Sequence, residues 1–213
     1  MKIAPFVVSV ALASVVSACG GSSSDDADLE TPSAETTAAP SGDDSAEPAG
    51  SGYGDWTFQD EFVGASGVIT LTEDPRAFIE DPVVAAVEKF REGAGADPVL
   101  YVRVALDNTS GDSEMQLQEF TLVTKDGEQV TGTSVGDYVG VVQDQVAEDD
   151  SDTYNEGVAI YNDQLDRSEI LPGAKATYYV VFSYDPSTPN PEIGRVFIQP
   201  SIYSERISAQ TTD

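Results

Sequence analysis

Two segments of this chain alternate their side chains with a period of two, and that periodicity confines the fold to β-structure. Leu100, Val102, Val104 and Leu106 alternate with Tyr101, Arg103 and Ala105, the pattern of a strand with one buried face. Within residues 175–184, Tyr178, Val180 and Phe182 fall on one face and Tyr179 and Val181 on the other, so both faces of that strand are expected to be partly covered. Turn signals separate these runs from weaker ones. Asn108-Thr109-Ser110-Gly111-Asp112 reads as a turn. Phe120 and Leu122 carry a further strand, and Lys125-Asp126-Gly127-Glu128 is a hairpin signal leading into residues 129–133. Leu171-Pro172-Gly173 introduces the 175–184 strand, and residues 68–71 form a short early one. Residues 195–203 supply the last, with Pro200 pushing it towards a sheet edge or a bulge. Short strands between regularly spaced turns predict an all-β domain of the β-sandwich kind.

One segment breaks the pattern. Asp81-Pro82 is an N-cap followed by proline at the first helical position, and Val83, Val84, Val87 and Phe90 recur at helical spacing before Gly93 and Gly95. This predicts one short inserted helix over residues 82–92, packed over an open edge or end of the sandwich with its apolar stripe in the core.

The N-terminal region is of a different character. Lys2 precedes an apolar run of small and aliphatic residues over positions 3–16, too short for the roughly 20 residues that span a hydrocarbon core. A secretory signal fits this run. Its end, Val16-Ser17-Ala18-Cys19 before Gly20 and Gly21, resembles the bacterial lipobox. In such signals the cysteine receives a diacylglyceryl group and becomes the mature N-terminus. Cys19 is the single cysteine of the chain, so no intrachain disulfide exists and the thiol stands where lipidation needs it. The plain alternative is ordinary cleavage after Ala18, with Cys19 an incidental thiol.

Residues 20–52 contain no aromatic, no lysine or arginine, eight acidic residues and Leu29 as their one large apolar side chain. Such a segment cannot bury enough apolar surface to offset its conformational entropy and is expected to stay disordered. As a flexible coil it reaches roughly 30 Å, and its like charges extend it further. The expected organisation is therefore a lipoprotein signal peptide at 1–18, a disordered acidic tether at 19–52 and a folded domain at 53–213.

Charge limits the partners. The chain has 38 acidic and 10 basic residues and a formal net charge of −28, which argues against nucleic acid or an anionic membrane face as a docking partner. The acidity is not confined to the tether, because residues 53–213 alone hold 30 acidic and nine basic side chains. A surface rich in Asp and Glu and poor in Lys suits concentrated salt; a genomic preference for Asp and Arg codons would leave the same mark.

The folded region resembles a known family. The strand and turn Leu100-Tyr101-Val102-Arg103-Val104-Ala105-Leu106-Asp107-Asn108-Thr109, then Phe120-Thr121-Leu122-Val123 before Lys125-Asp126-Gly127, then Leu171-Pro172-Gly173-Ala174 before Tyr179-Val180-Val181-Phe182, follow in order. Together they are similar to the immunoglobulin-like domains of secreted mycobacterial immunoprotective antigens and related Gram-positive lipoproteins. The resemblance covers residues 66–203, with the helix at 82–92 and the acidic segment at 134–157 as departures of the kind insertions make. It implies an immunoglobulin-like β-sandwich held outside the cell membrane, and it brings no catalytic residues.

Chemistry-bearing motifs are few. Gly132-Thr133-Ser134-Val135-Gly136 matches G-x-S-x-G, but that nucleophile elbow needs a strand-to-helix turn and a histidine to activate the serine. The chain has no histidine, and the sequence shows no β-α alternation. Asp144, Glu148, Asp149, Asp150, Asp152 and Glu156 form an acidic run expected to be a solvated loop between strands; calcium is the competing reading, although the spacing of a calcium-binding helix-loop-helix is absent. Asn108-Thr109-Ser110 fits a glycosylation sequon, yet a turn explains it as well. Trp56, the only tryptophan, is expected to seal the first strand of the domain. No cofactor, no metal and no catalytic residue is indicated, and Cys19 is the one site named, for lipid attachment. The expected function is a lipid-anchored, extracytoplasmic binding or interaction module without catalysis, meeting an envelope or extracellular protein or a small ligand. The alternatives are a structural or accessory envelope lipoprotein without a ligand pocket and, third, a calcium-binding or enzymatic domain.

Overall fold

The computed structural model describes residues 51–146, 150–166 and 168–212. Cys19, the signal-like segment and the tether up to residue 50 lie outside these residues, as do Glu148 and Asp149. Chain order is β1 (Gly54–Asp60), β2 (Ala65–Leu71), α1 (Pro82–Ala94), β3 (Val99–Asp107), β4 (Glu119–Thr124), β5 (Gln129–Thr131) and β6 (Thr133–Ser134), then α2 (Val135–Gln143), α3 (Ser151–Asp166), β7 (Lys175–Ser183), β8 (Ile193–Gln199), β9 (Ile207–Ser208) and β10 (Gln210–Thr211).

The domain is mostly β. A larger antiparallel sheet runs β10-β1-β2-β3-β7-β6, and a smaller one runs β5-β4-β8-β9. Ile69, Val102, Val104, Val180 and Phe182 of the larger sheet share a buried cluster with Phe120, Leu122, Val196 and Ile198 of the smaller. Phe120 meets Phe182 edge-on across it, with ring centroids 5.8 Å apart. Trp56 seals β1 as expected, buried with its indole N–H donating to the Gly52 carbonyl at 3.0 Å.

The period-two pattern of β7 finds its explanation in a second core. Val102 pairs with Val180, and Tyr101 with Val181, in the β3–β7 register. The even-numbered members face the smaller sheet. Tyr101, Tyr179 and Val181 face the other way and bury Val84, Val87 and Phe90 of α1 with Val135, Val139 and Val142 of α2. Covering both faces of β3 and β7 removes each apolar side chain from water, at roughly 1.5–3 kcal/mol apiece.

Three expectations are corrected here. The described residues hold three helices, not one short insert. The helix expected at 82–92 extends to Ala94, and it packs with α2 on the outer face of the larger sheet, not at an edge or end. Pro200 does not displace its strand, because β8 ends at Gln199 and lies between β4 and β9.

The local chemistry of α1 is as the sequence dictates. Asp81 accepts the Val83 N–H at 2.9 Å, Pro82 opens the helix, and Gly95 closes it with φ 70°. The helix itself carries a charged pair, Glu88 and Arg91. Arg91 donates through Nε and Nη2 to the two Glu88 oxygens, both at 2.9 Å, and through Nη1 to the Ala96 carbonyl at 2.8 Å. The Tyr101 hydroxyl donates to Glu88 at 2.9 Å, and burial beside that carboxylate pushes the Tyr101 phenol well above its ordinary range.

The turn after β3 is pinned by Asn108, which is 0% exposed. Its Nδ2 donates to the carbonyls of Ser113 (2.9 Å) and Ile170 (3.0 Å), and its backbone carbonyl accepts from Gly111 and Gly173. A buried amide with both hydrogens committed is not a glycan acceptor in the folded protein. The turn reading of Asn108-Thr109-Ser110 therefore holds.

Candidate functional site

The acidic run is built into helices. Asp144 caps the C-terminus of α2, and Asp150 accepts the Thr153 N–H at 3.1 Å, starting α3. Asp152 lies in the first turn of α3, where the helix dipole favours a carboxylate. Glu156 pairs with Lys89 of α1 at 2.5 Å. The expectation of a solvated loop between strands is thus replaced by two helix ends and an inter-helix ion pair. Among the described residues, no three acidic, histidine or cysteine side chains converge as a metal would require.

The G-x-S-x-G segment carries more structure than the sequence suggested. β5 belongs to the smaller sheet and β6 to the larger, so the chain crosses between sheets at Gly132. The Gly132 N–H still donates to Phe120 O at 2.8 Å, while a Cβ there would lie 2.3 Å from Val180 Cγ1 and 2.6 Å from Phe182 Cζ. Only glycine lets the strand pass so close. Two residues later β6 runs directly into α2, so the strand-to-helix turn judged absent from the sequence is present locally. It is not a nucleophile elbow. Ser134 has unstrained extended geometry, φ −58° and ψ 150°. Its hydroxyl accepts the Asp137 N–H at 3.1 Å and donates to Asp137 Oδ2 at 2.7 Å. That reciprocal pair is a helix cap.

The crossing opens a cleft of about 370 Å³ where β6, α2, α3, β7 and the segment entering β4 meet. Gln116, Gln118 and Glu119 form one wall, Thr133 and Ser134 the second, and Tyr161 and Gln164 of α3 the third. Tyr178 and Val180 of β7 make the floor with Phe120. The polar groups are held by neighbours. Gln118 Nε2 donates to the Gln116 carbonyl at 3.0 Å, and Glu119 accepts from Thr121 at 2.9 Å and from Arg206. The Tyr178 hydroxyl donates to the Ser168 carbonyl at 2.6 Å. Burial, with Glu169 nearby, pushes the Tyr178 phenol up to about 12, so it remains a hydrogen-bond donor throughout the physiological range.

Chemically, the arrangement presents amides, hydroxyls and a carboxylate around an apolar floor. Sequence reasoning missed Gln116, Gln118, Tyr161, Gln164 and Tyr178. The one local signal was the Gln-Leu-Gln at 116–118, where two amides share a face of an extended segment. Cys19, the site residue that the sequence does name, lies outside the described residues. Comparison of the chain with protein-family models, with curated proteins and with solved structures found no match.

Proposed function

We propose that the domain is a non-catalytic binding module, displayed outside the cell membrane by a lipid on Cys19 and using the cleft at the Gly132 crossing to hold a small polar ligand. The observation that carries this reading is the convergence of amide and hydroxyl side chains from four separate chain segments on one cleft of about 370 Å³. The immunoglobulin-like topology belongs to the same proposal. It is supported by two antiparallel sheets around a shared core, with the three helices as additions to that plan.

The test has two arms. Cys19→Ser should move the protein from the membrane fraction to the soluble one, since lipid is then its only anchor. Immobilised wild-type protein should retain small molecules from an envelope extract that a Gln118→Leu, Gln164→Leu double variant releases, read by mass spectrometry of the eluates. Identical eluates would refute the cleft as the ligand site.

One observation favours protein contact as a second reading. Phe62, Ile202 and Tyr203 are 72%, 62% and 68% exposed. Asp60 brings their two turns together, accepting the Phe62 N–H at 2.8 Å and the Ser204 hydroxyl. An apolar tip of this kind suits an envelope partner. If Phe62→Ser with Tyr203→Ser abolishes co-purification of envelope proteins while the small-molecule eluate is unchanged, the accessory role is the correct one.

A further inference from the structure

Beneath the segment that joins β7 to β8, the two sheets do not close on each other. They leave a second cavity, of about 130 Å³, that shares no lining residue with the polar cleft. Leu71, Leu100, Val102 and Phe182 of the larger sheet and Leu122 and Ile193 of the smaller form its walls. The size approaches the roughly 150 Å³ of apolar cavities that stay dry and admit benzene or xenon.

The rim decides what such a cavity takes. Tyr53 donates its hydroxyl to Pro191 O at 3.1 Å, and Asn190 Nδ2 donates to Glu73 O at 3.0 Å. The Thr124 hydroxyl is engaged by Asp126 and by the Glu128 backbone, and Asp185 accepts from both the N–H and the hydroxyl of Ser187. These polar groups already have internal partners. The walls beyond this rim are hydrocarbon, so a polar ligand seated there would lose its hydrogen bonds to water, whereas a hydrocarbon loses none. Charge narrows the class further. Asp185 lines the mouth, Glu73 is tied to its rim through Asn190, and Glu192 lies beside it in the chain, paired with Lys125 at 3.3 Å. An anionic head group would meet carboxylates there.

We propose that this end of the core binds a neutral hydrocarbon group, a benzene-sized ring or the end of a short alkyl chain, admitted by displacement of residues 184–192. That segment carries Pro186, Pro189 and Pro191, which limit its conformations. The exposed Tyr53–Pro191 and Asn190–Glu73 bonds hold it over the cavity, together with the Ile193 N–H on Ser51 O at 2.7 Å.

The test uses the full chain, labelled with ¹³C at the Leu and Val methyls, titrated with benzene and n-hexane and in parallel with dodecanoate and glucose. Benzene should shift the methyls of Leu100, Val102, Leu122 and Val130 saturably and raise Tm by mass action. Val130→Phe, which fills the mouth from a half-buried position, should weaken benzene at least tenfold. Tyr53→Phe, which removes the latch hydroxyl but keeps the ring that lines the cavity, should speed exchange. Xenon should compete for the same methyls, and that measurement stands even where Val130→Phe fails to fold. The proposal is overturned by the absence of saturable shifts up to the solubility of benzene, by shifts scattered over surface methyls, or by unchanged affinity in a folded Val130→Phe. Tighter binding of dodecanoate or glucose than of benzene would overturn the neutral, apolar class.

Discussion

Asn108→Asp replaces one atom and should cost the domain a large share of its stability. The native amide points its two hydrogens at a part-buried carbonyl, Ser113 O at 2.9 Å, and a buried one, Ile170 O at 3.0 Å. Its Oδ1 has no hydrogen-bond partner among the described residues and packs against Gly111, where an added Cβ would lie 1.8 Å from it. The amide therefore has one workable orientation. A carboxylate offers no hydrogen to either carbonyl, and a protonated carboxyl offers one. Ile170 O keeps the Met115 N–H at 3.0 Å, so Ser113 O is the carbonyl left without this donor, at about 1–3 kcal/mol, and an ionised carboxylate facing both oxygens costs more until it takes up a proton. A loss of about 3–5 kcal/mol follows, against a total stability of about 5–15 kcal/mol for a domain of this kind. At about 2–4 °C per kcal/mol, Tm should fall by roughly 6–20 °C.

The pH dependence identifies the cause. In the variant, burial against two carbonyls raises the folded-state pKa of the new carboxyl above its unfolded value. The folded form then binds the proton more tightly, so the penalty is complete above the folded pKa and shrinks as pH falls towards the ordinary carboxylate range. Urea melts at pH 7 and pH 4.5 should show the gap to wild type narrowing by at least 1 kcal/mol for Asn108→Asp, and staying constant for Asn108→Ala. A variant within about 1 kcal/mol of wild type at pH 7, or a gap that does not change with pH, would refute the account of Asn108 as the donor that joins the β3–β4 and α3–β7 connections.

Three further outcomes are expected. Glu88→Ala leaves Arg91 charged in a largely buried position and removes the acceptor of the Tyr101 hydroxyl; it should cost about 3–5 kcal/mol in a denaturant melt, whereas Glu92→Ala, on an exposed partner, should cost under about 1 kcal/mol. Lys175 and Thr109 hold Asp107 at about 2, so this carboxylate contributes stability that is present above its unfolded pKa and is lost as pH falls towards the folded value; Lys175→Met should move the acid limb of the stability curve to higher pH, read as Tm between pH 2 and 5. The excess of acidic side chains should make Tm climb smoothly with NaCl and equally with KCl as repulsion is screened, and millimolar CaCl₂ should add nothing beyond NaCl of equal ionic strength; a calcium-specific gain lost in Asp150→Asn with Asp152→Asn would restore the calcium reading.

How much of this was legible depends on which groups carry the contacts. β3 and β7 announced themselves because period-two alternation and β-branched or aromatic side chains coincide, and α1 because its cap, proline, apolar stripe and glycine agree at every level. α2 was hidden in plain composition. Val135, Val139 and Val142 do recur at helical spacing, but Gly136 and Gly140 interrupt them and a strand-forming run precedes them. α3 leaves a mixed signal: Tyr154, Val158, Tyr161 and Leu165 recur at helical spacing, but Gly157 and acidic and amide residues stand between them. Among its described residues the one fully buried is Gly157, whose missing side chain admits the Phe90 ring, since a Cβ there would lie 2.8 Å from it. Of its larger apolar groups, Ile160 and Tyr161 pack against the second core, while Tyr154 and Leu165 are 48% and 51% exposed. A helix held by a glycine contact and two half-buried side chains gives a stripe too weak to separate from a solvated acidic loop by counting apolar residues.

The cleft was invisible for a related reason, and the same reason fixes where it lies. Its polar side chains come from segments around 116–119, 132–137, 161–168 and 178, none of which carries a motif by itself. What gathers them is a backbone event, the passage of the chain from one sheet to the other at Gly132. The smaller sheet can give up a strand there because the Gly132 N–H keeps its bond to Phe120 O. The larger sheet can accept one because β6 pairs with β7 at Thr133 and Ser134. The crossing strand has only two residues before Ser134 caps α2, so β7 is covered by a helix, not by a longer strand, from that point on. A helix and a strand meeting at such a junction cannot pack as tightly as two neighbouring strands, and the gap is floored by Val180 and Phe120 and rimmed by whatever side chains end there. In this chain those are amides and hydroxyls. A methyl group at position 132 would collide with Val180 and Phe182 together, so the close approach that holds the crossing strand against β7 and the opening of the cleft depend on the same glycine.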